Sequence, residues 1–232
     1  HVRAIGGLNV VMESTAPITG GPVYLSSTMA SSVGECPSTA CHDLHKEILT
    51  SMLNESEEPP HRRLLWIKQP GSYTTDAPWV IDAVGDSNSG LIDMTSPEEI
   101  RSVNFRTYEV ILIDGYTDGD PEGSGLSTEV LRALNDRQDD LAHFVNTGGG
   151  LMAFYEDSED PESWGWLPTP PVLEDVGVHS GDSTLPTLEL VSMSSGVTSD
   201  DFLNQSTSYG FQFPEEGTGM QVLSYHDHGQ ND

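Results

Sequence analysis

Short apolar runs alternate with stretches whose apolar residues recur at helical spacing, and this alternation organises the chain up to about residue 156. Val23-Tyr-Leu-Ser26 reads as a strand, with another expected around Leu8–Met12. A Ser- and Gly-rich loop leads to a helix from Thr39 to Leu53, where Leu44, Ile48, Leu49 and Leu53 share one face and Ser38 or Thr39 is placed to cap it. Leu64-Leu-Trp-Ile67 is the next strand, Ala77–Val84 a short helix limited by Pro78, and Gly90–Met94 a further strand. Ser96-Pro-Glu-Glu99 carries a helix start: a capping hydroxyl, a proline in the first turn and acids where the dipole favours them.

The strongest strand signal is Tyr108-Glu-Val-Ile-Leu-Ile-Asp114, apolar almost without break, which predicts burial on both faces of a sheet. A Gly- and Asp-rich loop separates it from the longest expected helix, Ser127–Asn146, with Val130, Leu131, Leu134, Leu141 and Phe144 on the buried stripe. Thr147-Gly-Gly-Gly150 ends that helix, and Leu151-Met-Ala-Phe-Tyr155 is the next strand. Strands alternating with helices predict βαβ units and an α/β fold on a doubly wound, mainly parallel sheet. The organisation expected is one α/β domain: an extension over residues 1–20, a core over 21–156, and a loop-rich part over 157–232 with short strands at Leu188–Val191, Gly210–Phe213 and Met220–Tyr225.

Composition adds an electrostatic character. With 37 acidic against 9 basic residues the formal net charge is −28, and Lys46 and Lys68 are the two lysines. Such a surface repels nucleic acid and anionic membranes and suits high salt, where self-repulsion is screened. No run approaches the roughly 20 apolar residues of a membrane span. A start at His1, the sequons at Asn54 and Asn204, and two cysteines together suggest an exported or cell-surface protein with its signal removed. Cys36 and Cys41 are expected to close a small loop as a disulfide. The competing reading of Cys36-x₄-Cys41-His42, covalent haem with His42 as axial ligand, departs from the usual C-x-x-C-H spacing, so haem is not the expected cofactor.

Tyr108-Glu-Val-Ile-Leu-Ile-Asp-Gly115 and Phe144-Val-Asn-Thr-Gly-Gly-Gly-Leu-Met152 resemble segments of class I glutamine amidotransferase-like proteins. With Trp166-Leu-Pro168, the resemblance is to the trehalose-utilisation (ThuA-like) branch, over about residues 20–170. It implies a three-layer flavodoxin-like fold. Catalytic relatives carry a cysteine at the turn after the glycine-preceded strand; here that strand ends Ala153-Phe-Tyr-Glu156, and Ser158 has no Gly-x-Ser-x-Gly elbow around it. Acyl transfer by that route lacks its nucleophile.

Carboxylates stand where that chemistry would be. Asp118, Asp120, Glu122, Ser124 and Glu129 fall at positions 1, 3, 5, 7 and 12 of a loop with Gly123 at position 6, close to the EF-hand pattern, and make Ca²⁺ the expected cofactor. Asp114, Glu156 and Asp157 form a second acidic cluster near the ends of neighbouring strands. The bland alternative for both is solvated surface charge, with Glu129 simply favoured by a helix dipole. The functional expectation is a non-catalytic acidic module of a surface assembly, self-associating or binding other subunits, and the runner-up is a carboxylate-based hydrolase or carbohydrate-active enzyme.

Overall fold

The computed structural model describes residues 20–26, 39–55, 64–68, 78–84, 91–94, 96–116, 126–156 and 165–167, together with four short strands near the C-terminus. In those four strands, in 91–94, and at positions 26, 39–41, 55, 78, 114–116, 155 and 156, it is the backbone that is described. The protein is α/β. Strands β1 (Val23–Ser26), β2 (Leu64–Ile67), β3 (Leu91–Met94), β4 (Val110–Tyr116) and β5 (Gly150–Glu156) form one sheet in the order β1-β5-β4-β2-β3. Every pairing in it is parallel. Counted from β2, with β1 taken as the fifth strand, the order is 2-1-3-4-5, which is compatible with a flavodoxin-like fold.

Parallel strands need crossovers, and helices supply them. These are α1 (Thr39–Glu55), α2 (Pro78–Val84), α3 (Pro97–Ser102), α4 (Thr128–Asn135) and α5 (Gln138–Asn146). Residues alternate across the sheet. Tyr24, Leu64, Trp66, Leu112, Met152 and Phe154 join one buried cluster with α1 and α2. Leu25, Leu65, Ile67, Ile111, Ile113 and Leu151 join the other with α3, α4 and α5. The unbroken apolar run Val110–Ile113 thus has its explanation: all four residues are at most 1% exposed.

The start of α3 follows the local rules. Ser96 Oγ accepts from the Glu99 backbone N–H at 3.3 Å and donates to Glu99 Oε2 at 2.9 Å, a capping box with Pro97 in the first turn. The single long helix expected over 127–146 is instead two. Arg137 leaves helical geometry (φ −111°, ψ 17°) between α4 and α5. Its guanidinium reaches the end of α3, donating from Nη1 to the Ile100 and Arg101 carbonyls at 2.7 and 2.8 Å and from Nη2 to Val103 O at 2.9 Å. It also lies over the Phe105 ring and pairs with Asp140. The break therefore satisfies the carbonyls that α3 leaves open. The whole stripe Val130, Leu131, Leu134, Leu141 and Phe144 is nevertheless buried, because both short helices pack on the same cluster.

Two further boundaries moved. Phe105–Thr107 forms a 3-10 turn, so β4 begins at Val110 rather than Tyr108 and runs to Tyr116. Gly150 already belongs to β5, and the helix-ending conformation falls on Gly148 (φ +106°). Near the C-terminus β6 (Val172–Asp175) pairs antiparallel with β8 (Tyr209–Gln212), and β7 (Ser183–Pro186) with β9 (Ser224–Asp227). β8 lies where a strand was expected and β9 starts later than expected, whereas β6 and β7 carry no period-2 signal. The expected strands at 8–12 and 188–191 lie outside the described residues.

The turn before β5 is held by close backbone contact. Gly21 N–H donates to Val145 O at 2.7 Å, and a Cβ on Gly21 would stand 2.0 Å from Gly149 O. Gly21→Ala is expected to lower unfolding free energy by about 3 kcal/mol, since backbone rather than a movable side chain must give way. Gly165→Ala meets the Asn135 side chain at 2.9 Å and should cost clearly less, both read by urea denaturation at fixed salt. Arg137→Lys keeps the charge but loses the fork, with an expected loss of about 1.5–3 kcal/mol. Asp140→Ala, which removes only the exposed partner, should cost under about 1 kcal/mol.

Candidate functional site at the carboxyl ends of the strands

Ligands of open parallel sheets sit beyond the carboxyl ends of the strands. There β4 ends Asp114-Gly115-Tyr116 and β5 ends Phe154-Tyr155-Glu156. The register sets Asp114 opposite Phe154 and Tyr116 opposite Glu156, so the backbone brings the two acidic positions to adjacent central strands, two residues apart. Asp157 lies outside the described residues, as do Asp118, Asp120, Glu122 and Ser124. Glu129 is exposed in the first turn of α4, whose cap is Ser127 Oγ accepting from Val130 N–H. Among the described residues no three His, Cys, Asp or Glu side chains are grouped to hold a metal ion. Cys36 lies outside them too, and Cys41 is described as backbone of α1, so the expected disulfide is not among the described contacts.

The strand that would lead to a nucleophile is core instead. Ala153 and Phe154 are buried, and Phe154 belongs to an aromatic nest with Tyr24, Trp79 and His45, ring centroids 5.2–5.8 Å apart. His45, 1% exposed, is the one buried polar or charged side chain among the described residues. It comes from α1 and also meets Tyr24 edge-on. Its place was visible in the sequence: His45 stands three and four residues before Ile48 and Leu49, on the apolar stripe.

The end of β2 carries a second polar feature that composition alone hid. Trp66 is 2% exposed in the α1/α2 cluster, and its indole Nε1 is buried with no hydrogen-bond partner among the described residues. Lys68, half-buried one residue past the strand, places Nζ 4.0 Å from the Trp66 ring centroid. That is cation–π geometry. Trp166 and Leu167 are buried with the other cluster, so Trp166 anchors a loop; Gln138 Nε2 donates to Leu167 O at 2.6 Å.

No protein-family model matches the chain, and no curated protein or solved structure matches it either.

An unpaired buried N–H costs about 1–3 kcal/mol. Trp66→Phe removes it together with some packing, so stability should stay within about 1 kcal/mol of wild type. Trp66→Ala should lose about 3–5 kcal/mol by chemical denaturation.

Proposed function

We propose that the chain is a non-catalytic, strongly acidic module of an exported or cell-surface protein, with a structural or assembly role and Ca²⁺ held by its acidic loops. The observation that carries this reading is the register of β4 and β5, which sets Asp114 and Glu156 at the ends of adjacent central strands where an acyl-transfer enzyme of this resemblance would present its nucleophile. A net charge of −28 supports it, because carboxylates crowded at one sheet end repel unless a cation intervenes. The Asp118, Asp120, Glu122, Ser124 and Glu129 pattern supplies hard oxygen ligands, with Glu129 on the helix that follows the loop. A Cys36–Cys41 disulfide would close the segment leading into α1.

In this reading the fold is a three-layer, doubly wound flavodoxin-like one, and the chain a diverged class I glutamine amidotransferase-like protein of the ThuA-like branch that lost its nucleophile. The parallel sheet, the glycine turn before β5 and the two buried clusters support it. The same register favours one second reading, a carboxylate-based hydrolase or carbohydrate-active enzyme using Asp114 and Glu156.

Ca²⁺ at a hundred times its dissociation constant should stabilise the intact protein by about 2.7 kcal/mol, and EDTA should reverse the gain. The double variant Asp118→Asn, Asp120→Asn should abolish the response without lowering metal-free stability. A melting temperature indifferent to both Ca²⁺ and EDTA, with no Ca²⁺ by elemental analysis, sinks the calcium part. Turnover of glycoside or ester substrates that vanishes in Asp114→Asn and Glu156→Gln would select the hydrolase. For the assembly role, sedimentation in high salt should show association rising with protein concentration; a monomer throughout counts against it.

A further inference from the structure

We propose that Asn54 carries an N-linked oligosaccharide, displayed on the outward face of α1 at the amino end of the sheet. Export, proposed above, is its premise, since asparagine-linked glycans belong to chains that enter a secretory route. Asn54-Glu55-Ser56 is an acceptor tripeptide with a residue other than proline in the middle. Helix α1 shows which side this asparagine occupies. Leu44, Ile48, Leu49, Met52 and Leu53 are buried in the cluster shared with α2 and the sheet. Asp43, Glu47, Ser51 and Asn54 are exposed, at spacings of four, four and three residues. They form one outward stripe, and Asn54 ends it.

The same helix fixes the position of Asn54 along the sheet. His45, in its first half, meets Phe154 towards the carboxyl end of β5. Met52 lies at the other end, where its Cε would stand 3.1 Å from a Cβ on Gly150, the first residue of β5. Helix α1 therefore runs from the carboxyl to the amino ends of the strands, and Asn54 follows Met52 by two residues. Glu156 is six residues along β5 from Gly150, about 20 Å of extended backbone. A bulky, hydrated group on Asn54 thus leaves the acidic strand ends open, and glycan and cation do not compete for one surface. The donor required is an oligosaccharide joined through C1 to a polyprenyl phosphate carrier. Asn54 Nδ2 attacks C1, the C1–O bond to the phosphate breaks and the N-glycosidic bond forms. One amide proton passes to a base of the transferase, and the carrier leaves with its phosphate. Transfer onto the unfolded chain is not gated by contacts the amide makes after folding. The finished fold must only leave room for the product, as the outward stripe does.

Asparagine also suits a helix end without modification, and Ser56 separates the two roles. The test recovers the full-length chain from the medium or surface of cells that make it and reads its peptides by mass spectrometry. The peptide containing Asn54 is expected to carry a sugar increment on that residue. Asn54→Gln and Ser56→Ala should each lose the whole increment, whereas Ser56→Thr keeps it. Should Asn54→Gln fold poorly, the two Ser56 variants decide, because neither alters the asparagine. A bare Asn54 on a chain recovered outside the cell overturns the glycan and leaves export standing. A glycan confined to Asn204, which lies outside the described residues, does the same. Persistence of the increment in Ser56→Ala also overturns the assignment. A chain found only inside the cell overturns export itself, and the glycan with it.

Discussion

Val110–Ile113 is buried along its whole length, because its side chains join two apolar clusters and a neighbouring strand pairs with it on either side. Each such side chain contributes about 1.5–3 kcal/mol by leaving water, and consecutive residues feed opposite clusters, so one tetrapeptide ties both halves of the core together. The remaining elements answer to this constraint. Helices must follow strands to keep the sheet parallel, short capped helices suffice where the crossover is near, and polar chemistry is left to the strand ends.

Much of this was legible because period and punctuation agree. The strands at Val23, Leu64, Leu91 and Leu151, and the Ser96-Pro97 helix start, each combine an apolar pattern with a local stop or cap, and each lies where the pattern puts it. The break at Arg137 was not legible. Its stripe continues at helical spacing from Leu134 to Leu141, and the cause is a long-range contact with α3 carbonyls that no local window contains. The 3-10 turn at Phe105 was hidden likewise, since Tyr108 stands before the apolar run as a strand residue would without belonging to the strand. At the candidate site, the sequence made the carboxylates conspicuous by number. The register is what sets Asp114 beside Phe154, and packing is what leaves the Trp66 nitrogen unpaired; neither has a residue-level signature.

Polar groups at the sheet's carboxyl end are of two kinds. The acidic positions at the ends of β4 and β5 belong to a chain-wide excess of negative charge, and their meaning depends on salt and cations. Lys68 and His45 run against that excess. One lies over an indole, and the other is enclosed by three aromatic rings, so the core packing shapes the surroundings of both.

The edge position of β1 has a consequence for how the molecule is made. Val23 pairs with Leu151, on the last strand of the sheet to leave the ribosome, while α1, which follows β1 directly, packs against α2 and the middle strands. During synthesis β2, β3 and β4 can assemble with α1 already in place, but β1 must wait unpaired until β5 emerges. Because the sheet order is that of a five-strand wound sheet with its fifth strand transferred to the front, the wait would vanish in a rearranged gene that encodes β1 after β5. Pairing β1 in the native chain therefore closes a loop that runs from Val23 to Leu151, the most non-local contact of this sheet.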